Sequence, residues 1–272
     1  MFKLGKLIFG VIIIMALVFD FAVADTDLNS SKPSDIIEQD VQVPVLLYHN
    51  IMDGFDIEQS SVHISPALFE EHMMFLKDAG YRTITFDEYY DYVASRKELP
   101  DNSIIITFDD GYSSNYKYAY PILKRMDMKA TIFTITGRVG SADDVIYPHF
   151  TWEQAKEMQQ SGVIDIQSHS DLHTDMMKIS TGRVQLELRH SKYLIEKNLG
   201  KVCDVFAYPY GLYSREIQEM AIQAGYKMQV IVGDKGINGS GANLQQLKRL
   251  TAFGNMSGKE LLDMIQINME EN

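Results

Sequence analysis

The chain of 272 residues has few of the residues that cross-link a protein or bind metals through sulfur. Its one cysteine, Cys203, excludes an intramolecular disulfide and a cysteine-rich metal site. A transition metal would therefore have to be held by histidine and carboxylate side chains. Positive charge is also scarce, since 25 lysines and arginines face 37 acidic residues. The formal net charge of −12 argues against a protein that binds nucleic acid in a sequence-independent way.

A long hydrophobic run is missing as well. The apolar stretch at 7–19 is 13 residues long, whereas a transmembrane helix needs about 20. Lys3 and Lys6 precede this stretch, and the small-x-small pattern Ala22-Val23-Ala24 follows it. Together these features predict a secretory signal peptide over residues 1–24 and hence a secreted or cell-surface protein. An uncleaved N-terminal membrane anchor is the alternative.

Two further segments follow the predicted signal peptide. Residues 25–42 are acidic and contain Ser, Asn and Pro, so we expect a solvated linker there. From residue 43 to residue 272, strand-like apolar runs alternate with helix-like stretches, which predicts one domain. Strands are predicted at Val43–Tyr48, Tyr81–Phe86, Ser103–Phe108, Ala130–Ile135, Val163–Gln167, Val205–Tyr208 and Lys227–Val232.

Helix signals lie between these strands. Ser65 and Pro66 start a helix that ends near Gly80, Asp87 is a candidate cap for the next, and Thr151 with Gln154 fits a capping box. Such alternation predicts parallel strands joined by crossover helices. A barrel-like α/β fold is the economical interpretation, and a doubly wound open sheet is the alternative. The remaining helices are predicted at about 121–126, 182–199, 214–224 and 258–268.

Chemically reactive side chains follow three of the predicted strands. Asp109-Asp110-Gly111 comes after the strand at 103–108, His169 and His173 come after the strand at 163–167, and Tyr208-Pro209-Tyr210-Gly211 follows the strand at 205–208. Because the carboxyl ends of parallel strands meet at one edge, these loops could converge on one face.

Each of these motifs also has a simpler interpretation. Asp109 or Asp110 could have no role beyond capping a turn with Gly111. A spacing of four between His169 and His173 can arise by chance. Taken together, one carboxylate and two histidines supply three ligands and leave a position open for water. That arrangement is typical of a catalytic zinc site.

The motifs resemble those of a known family. Thr107-Phe108-Asp109-Asp110-Gly111, Ser168-His169-Ser170-Asp171-Leu172-His173 and Phe206-Ala207-Tyr208-Pro209-Tyr210-Gly211 are similar to the first three motifs of the polysaccharide deacetylases with the NodB homology domain (carbohydrate esterase family four). The resemblance covers roughly 43–272, with the NodB homology core at about 102–272. The opening Val43–His49 is similar to that of bacterial enzymes that deacetylate poly-N-acetylglucosamine in biofilm matrix.

The resemblance implies a distorted (β/α) barrel of about seven parallel strands and a role for each motif residue. Asp110, His169 and His173 would bind a divalent metal, Zn²⁺ first and Co²⁺ or Ni²⁺ as alternatives. Asp109 would be the general base, and His49 the general acid for the leaving amine. The backbone N–H of Tyr210 would contact the developing oxyanion. Candidate acceptors for the second N–H of a metal-binding histidine are Asp165, Asp171 and Asp175.

The sequence also departs from the family pattern. Ala207 stands where many members carry an arginine that holds the base, and the fourth and fifth motifs have no good match. We expect His49 to replace the acid of the fifth motif. Arg249 is a hypothetical partner that would orient Asp109.

The resulting expectation is a secreted, metal-dependent N-deacetylase of a glycan that contains N-acetylglucosamine, acting as a monomer. Poly-N-acetylglucosamine is the favoured substrate. An O-acetyl esterase on the same site and an inactive glycan-binding homologue are the alternatives. Tyrosines that follow the first and third motifs could stack on sugars, although ordinary packing is favoured for most of them. They are Tyr112, Tyr116, Tyr118, Tyr120, Tyr208, Tyr210 and Tyr213.

Overall fold

The structure is a computed structural model that describes residues 40–141, 147–233 and 235–271. The predicted signal peptide and most of the predicted linker lie outside these residues. At the end of the linker, the Asp40 carboxylate accepts hydrogen bonds from the Tyr92 hydroxyl at 2.6 Å and the Ser240 N–H at 2.8 Å. The domain therefore makes specific contacts before its first strand. In the described part of the chain, no helix combines the length and the hydropathy needed to cross a bilayer.

The order of elements follows the alternation expected from the sequence. The strands are β1 (Val43–Tyr48), β2 (Asn50–Ile51), β3 (His63–Ile64), β4 (Arg82–Thr83), β5 (Ser103–Phe108), β6 (Ala130–Thr134), β7 (Ile164–Ser168), β8 (Val205–Ala207), β9 (Met228–Val230), β10 (Ile237–Asn238) and β11 (Leu250–Thr251). The α-helices are α1 (Pro66–Asp78), α2 (Phe86–Ser95), α3 (Tyr120–Met126), α4 (Trp152–Gln160), α5 (Thr181–Leu199), α6 (Arg215–Gln223) and α7 (Gly258–Glu270).

Seven parallel strands form a distorted barrel. Neighbouring strands pair in the order β11-β1-β5-β6-β7-β8-β9, and β10 adds to β1 in antiparallel orientation. A bridge between Val230 and Leu247 links β9 to the segment that leads into β11. This connection returns the sheet to its first strand, which confirms the predicted barrel and rules out the open doubly wound sheet.

Alternation along the strands determines which side chains enter the barrel. Ile105 packs inside with Val45, Phe133 and Val205, and α2 covers this core with Phe86. Asp109 lies two and four residues beyond Thr107 and Ile105, so the same period of two directs it inward. The opposite faces of the strands pack against the surrounding helices. The end of the barrel that carries Asp109 is thus built on an apolar layer.

Helix ends are set by local capping residues, not all of which we predicted. The Ser65 side chain accepts the Leu68 N–H at the start of α1, and Thr151 forms a capping box with Gln154 at α4, as expected. The predicted cap Asp87 is wrong, because Thr85 caps α2 through a capping box with Glu88. Thr85 lies two residues before Asp87, where the chain is still extended.

Candidate metal centre

Strand register brings four loops to one edge of the barrel. Tyr48 pairs with Phe108 across β1 and β5, so His49 and Asp109 leave adjacent strands side by side. The Asp109 N–H donates to the Tyr48 carbonyl at 3.0 Å. Thr134 of β6 and Phe206 of β8 both pair with Ser168 at the end of β7, next to His169. The loops that we expected to converge therefore do so.

Asp110, His169 and His173 form a compact cluster of ligand atoms. The His169 Nε2 atom lies 3.6 Å from Asp110 Oδ1, and the His173 Nε2 atom lies 3.5 Å from the same oxygen. One ligand atom from each of the three residues falls within 4.8 Å of the others. The donor set of two imidazole nitrogens and one carboxylate oxygen fits a divalent ion and leaves coordination positions open.

A backbone carbonyl orients the first histidine. His169 Nδ1 lies 2.9 Å from the Ala207 carbonyl oxygen, which leaves Nε2 directed at the cluster. None of the three predicted aspartates serves as its acceptor. Asp165 pairs with Lys201, and Asp175 contacts Lys178 and the Met177 N–H. The sequence could not identify the acceptor, because any residue has a carbonyl that can accept.

Arg249 holds Asp109 with a bidentate ion pair. Its two terminal nitrogens lie 2.6 Å and 2.8 Å from the Asp109 carboxylate oxygens, and one of them also donates to Thr107 Oγ1 at 3.3 Å. The Arg249 side chain is fully buried over the Phe133 ring. The hypothetical Arg249–Asp109 contact is thus confirmed, and Arg249 immediately precedes β11. It supplies the guanidinium that Ala207 cannot provide.

The Asp109 carboxylate stays ionised despite its burial. Burial alone would raise its pKa, but the Arg249 guanidinium and the His169 ring outweigh that effect and hold the pKa of Asp109 well below its ordinary value. A carboxylate in this state can accept a proton at neutral pH, and its two-point contact with Arg249 fixes its orientation.

Left-handed backbone conformations concentrate in these loops. Asp110, Ser170, His173 and Tyr210 have φ values of 72°, 66°, 57° and 60°. Non-glycine residues in this region cost of order 1 to 3 kcal/mol each and persist where surrounding contacts hold them. After Asp110, the chain needs Gly111, because a Cβ there would lie 2.4 Å from Thr134 Oγ1.

Tyr210 lies beside the histidine pair. Its ring meets the His173 ring edge-on, with centroids 4.5 Å apart, and its side chain is largely exposed. In the described part of the chain, no acceptor receives the Tyr210 N–H. Tyr210 has a positive φ of 60°, and its N–H remains available as a hydrogen-bond donor.

His49 extends the site beyond the metal cluster. The Asn115 side-chain amide donates to the His49 carbonyl at 2.8 Å, and the buried Nδ1 atom of His49 has no partner among the described residues. The pKa of His49 is lowered below its ordinary value, first by burial and also by Arg249 and His169, and the carboxylates of Asp109 and Asp110 only partly oppose that shift. These interactions place the imidazole near both acids.

Sequence analysis missed the residue that fixes the loop of His169 and His173. Glu187 of α5 is fully buried, and its Oε2 atom accepts the Asp171 N–H at 3.1 Å and the Leu172 N–H at 2.7 Å. Its other oxygen lies 3.1 Å from Arg183. A signal was available, since Glu187 falls on the apolar stripe of α5 beside Leu188. A charged residue at such a position requires partners in the interior.

Asp171 provides a second anchor for the same loop. Its Oδ1 atom accepts from the Thr136 hydroxyl at 2.8 Å, and Oδ2 lies 2.9 Å from His190 Nδ1. The Gly137 N–H donates to the Asp171 carbonyl at 2.8 Å. Both sides of the loop are therefore attached to the scaffold.

Known proteins share this sequence and this fold. Residues 96–229 match the family described as Polysaccharide deacetylase. The chain is 35% identical over 221 residues to YxkH of Bacillus subtilis (strain 168), whose name places it among the polysaccharide deacetylases; the match covers 81% of this chain and 75% of YxkH.

Two further comparisons concern an enzyme and a solved structure. Over 188 residues the chain is 30% identical to the Poly-beta-1,6-N-acetyl-D-glucosamine N-deacetylase of Staphylococcus aureus (strain N315), a match that covers 66% of this chain and 64% of that enzyme. The structure of the Streptococcus pyogenes deacetylase PplD in complex with acetate superposes with a TM-score of 0.73 at 31% identity. That match covers 83% of this chain and 99% of PplD.

Proposed function

Because the chain belongs to the polysaccharide deacetylase family, whose members hydrolyse amide bonds of glycans, we propose that it is a metal-dependent N-deacetylase acting on N-acetylglucosamine residues of a β-linked glycan. Poly-N-acetylglucosamine is the favoured substrate, because a relative at 30% identity is named for that reaction. The chain spans 64% of that relative, so the substrate remains part of the proposal. The observation that carries the proposal is the meeting of an ionised Asp109 with the Asp110–His169–His173 cluster.

The cluster would hold the cofactor. Asp110, His169 and His173 suit Zn²⁺, and the same ligands accept Co²⁺ or Ni²⁺. When bound, such an ion supplies a Lewis acid that polarises the acetyl carbonyl and makes water a competent nucleophile at neutral pH. The protein contributes the order of the site, since the Ala207 carbonyl orients His169 before any ligand arrives.

Asp109 would act as the general base. Each of its oxygens accepts one hydrogen bond from Arg249 and has a second lone pair that can accept a proton from the attacking water. The ion pair lowers the basicity of Asp109, but it also guarantees the ionised state and a fixed direction. A positioned base of this kind contributes typically about 10²- to 10⁴-fold to the rate.

Tyr210 and His49 would act on the carbonyl oxygen and on the nitrogen of the amide as it is cleaved. The Tyr210 N–H would donate to the oxygen of the acetyl group as negative charge develops there. An amide nitrogen leaves only after it is protonated, and His49 is the proposed donor. Burial lowers the pKa of His49 and the carboxylates of Asp109 and Asp110 offset only part of that shift, so His49 would take up the proton it donates during the reaction cycle.

The proposal also covers where the protein acts and whether it acts as a monomer. We infer that the protein is secreted or held at the cell surface, with residues 1–24 as its signal peptide. If that segment is retained, it would associate the domain with the membrane or cell wall. We further infer that the domain acts as a monomer, because the proposed ligands, base and acid all come from one chain.

Release of free amine from defined glycans tests the proposal. The purified protein loaded with Zn²⁺ should release amine from β-1,6-linked poly-N-acetylglucosamine faster than from peptidoglycan or chitin oligomers. The Asp109→Asn variant should keep its affinity for Zn²⁺ while its turnover falls by about 10²-fold or more. Equal release by this variant would refute the assignment of the base.

A further inference from the structure

An aromatic surface groove lies next to the loops that follow β1 and β5. A cavity of about 180 Å³ is lined by residues 50–52, just after His49, and by Tyr147 and Pro148, just before His149. It shares Ser113 and Lys117 with a second, more apolar cavity of about 530 Å³. We call the second cavity the aromatic groove. Its lining residues are Ser113, Tyr116, Lys117, Tyr120, Pro121 and Gln154.

The groove and the catalytic loops belong to one hydrogen-bonded assembly. The Ile51 N–H donates to Ser114 Oγ at 3.1 Å, and the Ser113 N–H donates to the Pro148 carbonyl at 2.7 Å. Asn115, which holds the His49 carbonyl, begins a π-helical turn at 115–119 that continues into α3. Turns of this kind occur frequently at functional sites. The turn that carries Tyr116 is thus hydrogen-bonded through Asn115 to the backbone of His49.

The two tyrosines of the groove form a fixed surface. The rings of Tyr116 and Tyr120 stack with centroids 6.0 Å apart and planes 23° apart. The Tyr116 hydroxyl donates to Glu157 Oε2 at 2.7 Å, and the Tyr120 hydroxyl accepts from Lys124 at 3.2 Å. Tyr120 is buried behind, whereas Tyr116 is half-buried and presents its ring to the groove. Because their hydroxyls are held, the rings lose little freedom when a ligand binds.

We propose that the aromatic groove is a second sugar subsite, which binds an N-acetylglucosamine unit neighbouring the one whose acetyl group is removed. This inference rests on the proposed function. The C–H face of a pyranose ring matches the apolar Tyr116 face, and Ser113, Lys117 and Gln154 place polar groups at the rim for hydroxyls and the acetamide. Ser113 and Lys117 line both the groove and the cavity at residues 50–52, which directly follow His49, and this adjacency supports a unit of the same glycan as the occupant.

A subsite away from the reacting bond affects long substrates more than short ones. The experiment compares fully acetylated β-1,6-linked disaccharide and hexasaccharide as substrates of the Zn²⁺-loaded protein. In Tyr116→Ala, the ratio of the two kcat/KM values should shift against the hexasaccharide by about three- to tenfold, mainly through KM. Tyr116→Phe retains the ring and should recover most of that ratio.

A matched control separates this effect from the loss of any surface tyrosine. Tyr193 is exposed and its ring contacts Lys197, but it lies on α5 and does not line the groove. Tyr193→Ala should keep the native ratio. A native ratio in Tyr116→Ala would overturn the proposal, and so would a loss confined to kcat and equal for both lengths.

Binding measured without turnover separates the subsite from the reaction. Calorimetric titration of the hexasaccharide into metal-free protein should give a dissociation constant that Tyr116→Ala raises about three- to tenfold. If the native protein binds the hexasaccharide but releases no amine, the proposed function fails and the subsite stands. If Tyr116→Ala binds as tightly as the native protein, the subsite fails whatever the turnover.

Discussion

The two sides of the proposed catalytic site differ in how many of their buried polar groups form hydrogen bonds. On the histidine side, defined as the loop 169–173, Glu187 accepts two backbone N–H groups and Asp171 bridges Thr136 and His190. On the His49 side, defined as the loops after β1 and β5 with β3 and the segment around residue 149, buried side-chain atoms lack partners among the described residues. They belong to His49, His63, Asn115 and His149.

The comparison shows that one side of the site is held rigid by hydrogen bonds, whereas the other side keeps unused hydrogen-bonding atoms. An unpaired buried polar group costs about 1 to 3 kcal/mol, and among the described residues more of these atoms lie on the His49 side, with Thr134 Oγ1 at the end of β6 as a further one near His169. The loop that would hold the ion is ordered by the protein alone. The side that would meet the glycan keeps donors and acceptors that a polar substrate can satisfy.

The largest expected effect comes from the unpaired side. His49→Ala should reduce amide hydrolysis by about 10²- to 10⁴-fold, because the leaving amine would lose its proton donor. Initial rates of amine release measure this effect. The Zn²⁺ affinity should remain native, and cleavage of an O-acetyl ester should suffer less, since an alkoxide leaves more readily than an amide anion. Full amide activity in His49→Ala would contradict the acid role.

Removal of Arg249 tests the ion pair between the two sides. Arg249→Met leaves Asp109 charged and buried, so the free energy of unfolding should fall by about 3 to 5 kcal/mol, as measured by urea denaturation. The double variant with Asp109→Asn should recover part of that loss. Arg215→Met, which breaks an exposed ion pair with Glu219, should change the same quantity by less than about 1 kcal/mol. An equal effect of the two arginine substitutions would show that burial does not govern this pair.

The stiffness of the histidine side depends on Glu187. Glu187→Gln keeps the shape but loses the charge that the Asp171 and Leu172 N–H groups contact, so we expect the Zn²⁺ affinity to fall about 10- to 100-fold in a chelator competition assay. Glu196→Gln, on the same helix but away from the loop, should keep native affinity. A native affinity in Glu187→Gln would mean that the loop needs no buried charge.

The smallest expected effect is a pH dependence of stability from the unpaired side. Burial first, and Arg138 next, lower the pKa of His149 to about 4. Below its ordinary pKa of about 6.5, the unfolded chain takes up a proton that the folded protein refuses. The free energy of unfolding should therefore fall by about 1 kcal/mol between pH 6 and pH 5 because of His149. In His149→Phe, this part of the pH dependence should be absent when the metal-free protein is denatured with urea. An unchanged slope would contradict the shift.

Short local signals predicted most of the scaffold and much of the candidate site. The apolar run at 103–108 and the caps at Ser65 and Thr151 act through neighbours in sequence, so the chain alone reveals them. The predicted strand at 81–86 shrinks to Arg82–Thr83, because Phe86 already lies in α2. Alternation along the chain did not distinguish a strand from the extended lead into a helix.

Contacts over long sequence distances explain what the sequence could not specify. Arg249 was named as a partner of Asp109 only as a hypothesis, since 140 residues separate the two. The Ala207 carbonyl carries no side-chain signature, and Glu187 resembles any glutamate of a helix until its burial is known. Such partners are selected by the closed barrel.

The closure of the barrel at β11 couples catalytic competence to the completion of folding. Leu250 pairs with Leu46 of β1, and that pairing brings Arg249 to Asp109. A folding intermediate in which β1 to β9 have formed but β11 has not docked would already contain the proposed metal ligands, yet Asp109, the proposed base, would lack its partner Arg249. On the proposed mechanism, the chain would acquire an oriented base only when distant segments meet, and turnover would require the finished topology.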